Sequence, residues 1–139
     1  MKLPIFWLKD YIKVPENLDS LTDKLTAIGH MQDHKPEIID GEAVLDLEIR
    51  QNRSDCLSIV GLARESAAVL NIDLSLPQSF TKKLPDIDNG LIITNESEDL
   101  CYRFNTLSFD GVEIKKSPKW LSKKLETYGI KSINNLVDI

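Results

Sequence analysis

Cysteine is scarce in this sequence: two in 139 residues, Cys56 and Cys101, with no CxxC spacing and no histidine cluster beside either. That speaks against a disulfide scaffold or a zinc site and suits a reducing cytoplasm. Long apolar runs are missing too. The opening MKLPIFWLKDYIKV is broken early by charge, so neither a signal peptide nor a membrane span is expected. There is no glycine-rich phosphate loop, no GKS or GKT, no GxSxG and no HExxH, and so no self-contained catalytic site to point to. The net charge of −5 argues against bulk binding of nucleic acid.

What is present is an ordinary globular balance, 42% apolar and 28% charged, enough for a real core without metal or disulfide. Ile5 to Ile12 reads as a short helix ended by Pro15. A second helix is expected from Leu18 to Ile28, with Leu18, Leu21, Leu25 and Ile28 on one face and Gly29 closing it. Residues 30–42 are polar and irregular. Val44 to Ile49 alternates, with Leu45, Leu47 and Ile49 turned one way and Asp46 and Glu48 the other, as in a half-buried strand. A helix then runs to Leu70, with Asp55 as its N-cap and with Gly61, Ala63, Ala67 and Ala68 allowing close approach.

Residues 71–90 read as a linker. LIIT and CYRFNTLSF suggest two further strands, and SPKWLSKKLETYG a helix capped by Ser117, with Pro118 first and Gly129 last. Its buried side is expected at Trp120, Leu121, Leu125 and Tyr128. The fold class is therefore α+β: a small helical N-terminal unit with short strands over residues 1–70, then the start of a mixed α/β domain over 91–139.

The chemistry-bearing residues each have an ordinary reading. His30 and His34 are bracketed by Gly29 and Pro36, so two exposed loop histidines are expected rather than a metal pair. Asp46 and Glu48 share a strand face near Arg50 and Arg53, which suits ion pairing better than acid–base catalysis. Cys56 stands at a helix start, where the dipole lowers a thiol pKa, but no histidine is near in sequence and it is expected to begin the buried side. Asn52, Arg53 and Asp55 form a polar corner between strand and helix. No catalytic residue and no metal ligand is assigned. Six lysines between Lys115 and Lys131 are opposed only by Glu126. Lys116, Lys119 and Lys123 are the candidates for gripping phosphates, against the plainer reading of a solvated helix face.

Several ordered stretches resemble one family. FWLKDYI, LTDKLTAIGH, LDLEIRQNRSDCLSIVGLARESAAVL and CYRFNTLSFDGVEIKKSPKWLSKKLETYGIKSINNLVDI together are similar to the N-terminal part of the bacterial phenylalanine–tRNA ligase beta subunit. The resemblance implies an architectural role for Asn52, Arg53 and Asp55, with Arg53 free to pair with Asp46 and Glu48. Ser54 stands where the family has proline, which loosens the corner. Only His30 to Ala43 occupy the place where most members carry an inserted tRNA-binding OB-fold, so that insert is expected to be absent. Residues 91–139 would begin the tRNA-editing (B3/B4-type) domain without completing it.

For the whole ligase the resemblance implies a cytoplasmic heterotetramer of two alpha and two beta subunits. It would use ATP and Mg²⁺ to attach phenylalanine to tRNA(Phe), with the synthetic site in the alpha subunit. No cofactor is expected on these residues and no membrane contact. The rival readings are a stand-alone tRNA-binding module and a non-catalytic adaptor derived from the beta subunit.

Overall fold

Asp40 and Gly41 both hold positive φ, 50° and 77°, as the two-residue turn of a tight antiparallel hairpin requires. They join strand β2 (Glu37–Ile39) to strand β3 (Glu42–Asp46), with Ile39 opposite Glu42. On its other side β3 pairs antiparallel with β1 (Lys2–Pro4), Leu3 opposite Leu45, so the sheet order is β1-β3-β2. The computed structural model describes residues 1–77, 90, 92–104 and 106–139. Within them the expected α+β character is what is found, four α-helices and this one sheet. The stretch read as irregular over 30–42 contains a hairpin arm.

Helix α1 (Ile5–Leu8) is a single turn, shorter than the apolar pattern suggested. Helix α2 (Leu18–Ala27) begins at Asn17, whose side chain accepts from the Asp19 N–H at 2.9 Å. Leu21 and Leu25 are fully buried, while Ile28, beyond the last turn, is left partly exposed. Helix α3 (Ile59–Leu70) begins later than expected, because Ser54–Cys56 form a separate 3₁₀ turn. The cap is Ser58, which accepts from the Gly61 N–H at 3.0 Å, and not Asp55.

The core gathers Leu3, Leu8, Leu21, Leu25, Leu45, Leu47, Leu62 and Cys56, all buried from water, with α1 against the sheet and α3 against α1 and α2. Helix α4 (Lys119–Tyr128) closes on Gly129 at φ 99° and lies against β1. Pro118 is its cap position and offers no side-chain bond, while the Ser117 hydroxyl donates instead to Asp138. Trp120, expected inside, is 64% exposed; Thr127 is the buried residue of this helix.

Two compact units are distinguished, Met1–Pro77 with Ile114–Ile139, and Gln78–Glu113. In the second, residues 92–104 and 106–113 form neither helix nor strand, so the two strands expected there are not made. Leu91, at the start of the first strand, Asn105, in the middle of the second, and most of the expected linker lie outside the described residues. An alternating sequence becomes a strand only beside a partner that accepts its hydrogen bonds, and the described residues of this unit supply none. Ile92, Tyr102 and Phe109 are accordingly exposed. Among the described residues no helix is long and apolar enough to cross a membrane.

Candidate functional site

The polar corner is built by the 3₁₀ turn packing onto the first turn of α3. A Cβ at Gly61 would stand 1.9 Å from the Asp55 carbonyl oxygen, so only glycine allows this approach. The turn aims Arg53 at two carboxylates. Its guanidinium donates from Nε to Asp55 Oδ1 at 3.1 Å and from Nη2 to Asp55 Oδ2 at 2.9 Å, the two-point fork that arginine suits best. Nη2 also reaches Glu65 Oε1 of α3 at 2.8 Å and Cys56 Sγ at 3.1 Å.

Arg53 therefore pairs with Asp55 and Glu65, not with the strand face of Asp46 and Glu48. Asp46 meets the Met1 amine at 3.1 Å. Asn52 is exposed in the turn before the fork. Hydrogen bonding to Arg53, with a second bond from the Cys56 thiol, holds the Asp55 carboxyl down to about 2. The Arg53 guanidinium is held charged, first by Asp55 and then by Glu65. The Cys56 thiol moves the other way, up to about 11, because burial disfavours the thiolate and Asp55 holds the proton. Proximity to a helix start does not activate it.

His30 is the residue that sequence reading misplaced. It is 1% exposed, whereas His34 is open to solvent as expected. Gly29, at φ 100°, reverses the chain after α2, and the His30 N–H returns to the Leu25 carbonyl at 2.9 Å. In this helix ending the residue after the glycine folds back over the last turn, a place usually given to an apolar side chain. The imidazole is thereby carried inward, with Nε2 3.6 Å from Cys56 Sγ and 3.6 Å from Glu65 Oε2. His30 Nδ1 has no hydrogen-bond partner. A lone glycine before histidine was the available signal.

The lysine candidates do not form one open patch. Lys116 and Lys119 are exposed. Lys123 is paired with Glu42 Oε1 at 2.7 Å and lies over the Phe6 ring, 4.8 Å from its centroid. Lys124 pairs with Asp10 and covers Trp7 at 5.2 Å. The helix face read as solvated is thus partly the docked face, its lysine stems spread over aromatic rings. Near it, an apolar cavity of about 310 Å³ is lined by Trp7, Tyr11, Leu57, Ile59, Leu125 and Tyr128.

No protein-family model matches the chain. It is similar to curated phenylalanine–tRNA ligase beta subunits. The identity is 36% with that of Rhodopirellula baltica over 134 residues, which is 96% of this chain and 20% of the relative. It is 41% with that of Clostridium tetani over 116 residues, 82% of this chain and 14% of the relative. With that of Thermotoga maritima it is 41% over 102 residues, 70% and 12%. The chain thus spans a fifth or less of the length of these relatives.

Proposed function

The chain belongs to the phenylalanine–tRNA ligase beta-subunit family, and on that premise we propose that it supplies scaffold and subunit packing at the N-terminal end of such a ligase. The ligase as a whole would join phenylalanine to tRNA(Phe) with ATP and Mg²⁺, in the cytoplasm, as two alpha and two beta subunits. The observation that carries this reading is the continuous match over nearly the whole chain to beta subunits. The corner supports it. Arg53, Asp55 and Glu65 spend their charges on one another, which is how a joint is held rather than how a substrate is turned over.

Residues 1–70 would be the N-terminal unit and 91–139 would contribute to the editing domain. Helix α4, docked on β1, would tie the two stretches of sequence together. Lys116 and Lys119 are the phosphate contacts proposed for tRNA, with Lys123 a lesser one because Glu42 already engages it. The test is co-expression with the alpha subunit of a phenylalanine–tRNA ligase, followed by co-purification and tRNA(Phe) binding across a salt series. Stable association, with tRNA binding that needs the alpha subunit, is expected. Steeply salt-dependent tRNA binding by the chain alone, without alpha-subunit association, would overturn it in favour of a free-standing module.

A further inference from the structure

The three side chains that converge under the corner come from three separate elements: His30 from the loop closing α2, Cys56 from the 3₁₀ turn and Glu65 from the second turn of α3. Their nearest nitrogen, sulfur and oxygen atoms all lie within 4.8 Å of one another. The two measured edges, sulfur to nitrogen and nitrogen to oxygen, are 3.6 Å each. A tetrahedral zinc-type ion, about 2.3 Å from sulfur and about 2.0–2.1 Å from nitrogen and oxygen, sets such edges at roughly 3.3–3.6 Å; the two 3.6 Å edges fit this, and the sulfur-to-oxygen edge, within 4.8 Å, would close toward it on binding. We infer that His30 Nε2, Cys56 Sγ and Glu65 Oε2 form a binding site for one divalent transition ion of the zinc type.

Three further observations bear on it. First, the His30 imidazole is buried, its Nδ1 has no partner, and its Nε2 faces the Cys56 sulfur and the Glu65 carboxylate, each at 3.6 Å. Nε2 is thus the ring nitrogen that faces other ligand atoms, the arrangement that a metal bond at Nε2 uses. Second, the two oxygens of Glu65 are divided: Oε1 is held by Arg53 at 2.8 Å and Oε2 faces the histidine. Carboxylates that ligate a metal are usually oriented by such an outer bond.

Third, the charges close. At neutral pH the cluster carries Arg53 against Asp55 and Glu65, with Cys56 as the neutral thiol. That leaves one negative charge uncompensated. Binding a doubly charged ion, with the Cys56 proton released to solvent, brings the sum to zero. Arg53 gives up its contact with Cys56 Sγ and keeps its fork on Asp55. Three protein ligands leave a fourth position open, and Glu65 is the one of the three with solvent exposure, 24%.

The inference does not rest on the ligase reading, and its test reads no aminoacylation. The chain carrying Cys101→Ser, which leaves Cys56 as its one thiol, is titrated with Co²⁺ and followed by absorption. One Co²⁺ per chain is expected, with a near-ultraviolet thiolate-to-cobalt band that Zn²⁺ abolishes by displacement. Adding His30→Asn should weaken the titration by about tenfold or more, and Glu65→Gln likewise. If one of these variants fails to fold by circular dichroism, the other carries the comparison. Absence of the thiolate band in the folded Cys101→Ser chain at saturating Co²⁺ overturns the inference. So does a band of undiminished affinity in whichever of the two variants folds.

Discussion

Gly61→Ala is the most exacting test of how the corner is built. On an exposed helix this change stabilises by about 1 kcal/mol, because glycine is the poorer helix former. Here the new methyl would meet the Asp55 carbonyl oxygen at 1.9 Å and the Cys56 Cα at 3.1 Å. Ordinary contact begins near 3.4 Å, so the 3₁₀ turn would have to recede by about 1.5 Å. Overpacking that side chains absorb costs about 1–3 kcal/mol. In this place the obstacle is main chain, and its retreat draws Cys56 out of the core, so about 3–4 kcal/mol is the appropriate gross cost. Less the gain in propensity, a net loss of about 2–3 kcal/mol is expected. At a urea slope of about 1.5–2 kcal/mol/M the unfolding midpoint falls by roughly 1–2 M. Ala68→Gly, at an exposed position in the same helix, calibrates the propensity contribution with a loss of about 1 kcal/mol. A Gly61→Ala midpoint equal to or above that of the parent would refute the reasoning.

Ser58→Ala removes the cap on the Gly61 N–H and should cost about 1 kcal/mol by urea unfolding. Leu45→Ala, at the centre of the sheet and fully buried, should cost about 2–5 kcal/mol in the same assay. Asp138 is held below the usual carboxylate range, first by Ser117, then by Ser132 and by the Ile133 N–H. A depressed pKa stabilises above the unfolded value and is lost as pH falls below about 4. The thermal unfolding midpoint of the parent should therefore exceed that of Asp138→Asn at pH 7, and the difference should shrink as pH is lowered below about 4. In native-state hydrogen exchange, amides of residues 92–104 and 106–113 should exchange much faster than those of α3, since no helix or strand holds them. Equal protection in both would contradict that.

Much of the frame could be read from residue order. The spacing of Leu21 and Leu25, the stops at Gly29 and Gly129 and the burial of Leu45 and Leu47 all follow from period and from glycine's freedom at positive φ. The Asp40–Gly41 pair, set between Ile38–Ile39 and Ala43–Val44, is also a local hairpin signal, obscured by the mostly polar residues 30–37 that precede it. What escaped depends on relations across elements. Glu65 becomes the partner of Arg53 only because Gly61 lets the turn fold down onto α3. His30 goes inside because a helix ending, not its own polarity, decides where it points. Trp120 stays outside since Lys123 and Lys124 claim the rings of Phe6 and Trp7, and a lysine stem counts as apolar cover that composition does not reveal. The alternation over 101–109 names a face without naming a neighbour, and a strand needs both.

The docking of α4 on β1 also sets an order of events during synthesis. Lys2–Pro4 leave the ribosome first, yet β3 follows some forty residues later and the Lys124 contact with Asp10 spans 114 positions. Until residues 119–128 have emerged, the segment has an open hydrogen-bonding side and uncovered aromatic rings at Phe6 and Trp7. Such a nascent edge invites chaperone capture or pairing with a neighbouring chain. The cover comes when the Lys123–Lys124 turn emerges, so slow elongation through the codons between β3 and α4 lengthens the vulnerable interval without changing any contact in the folded segment.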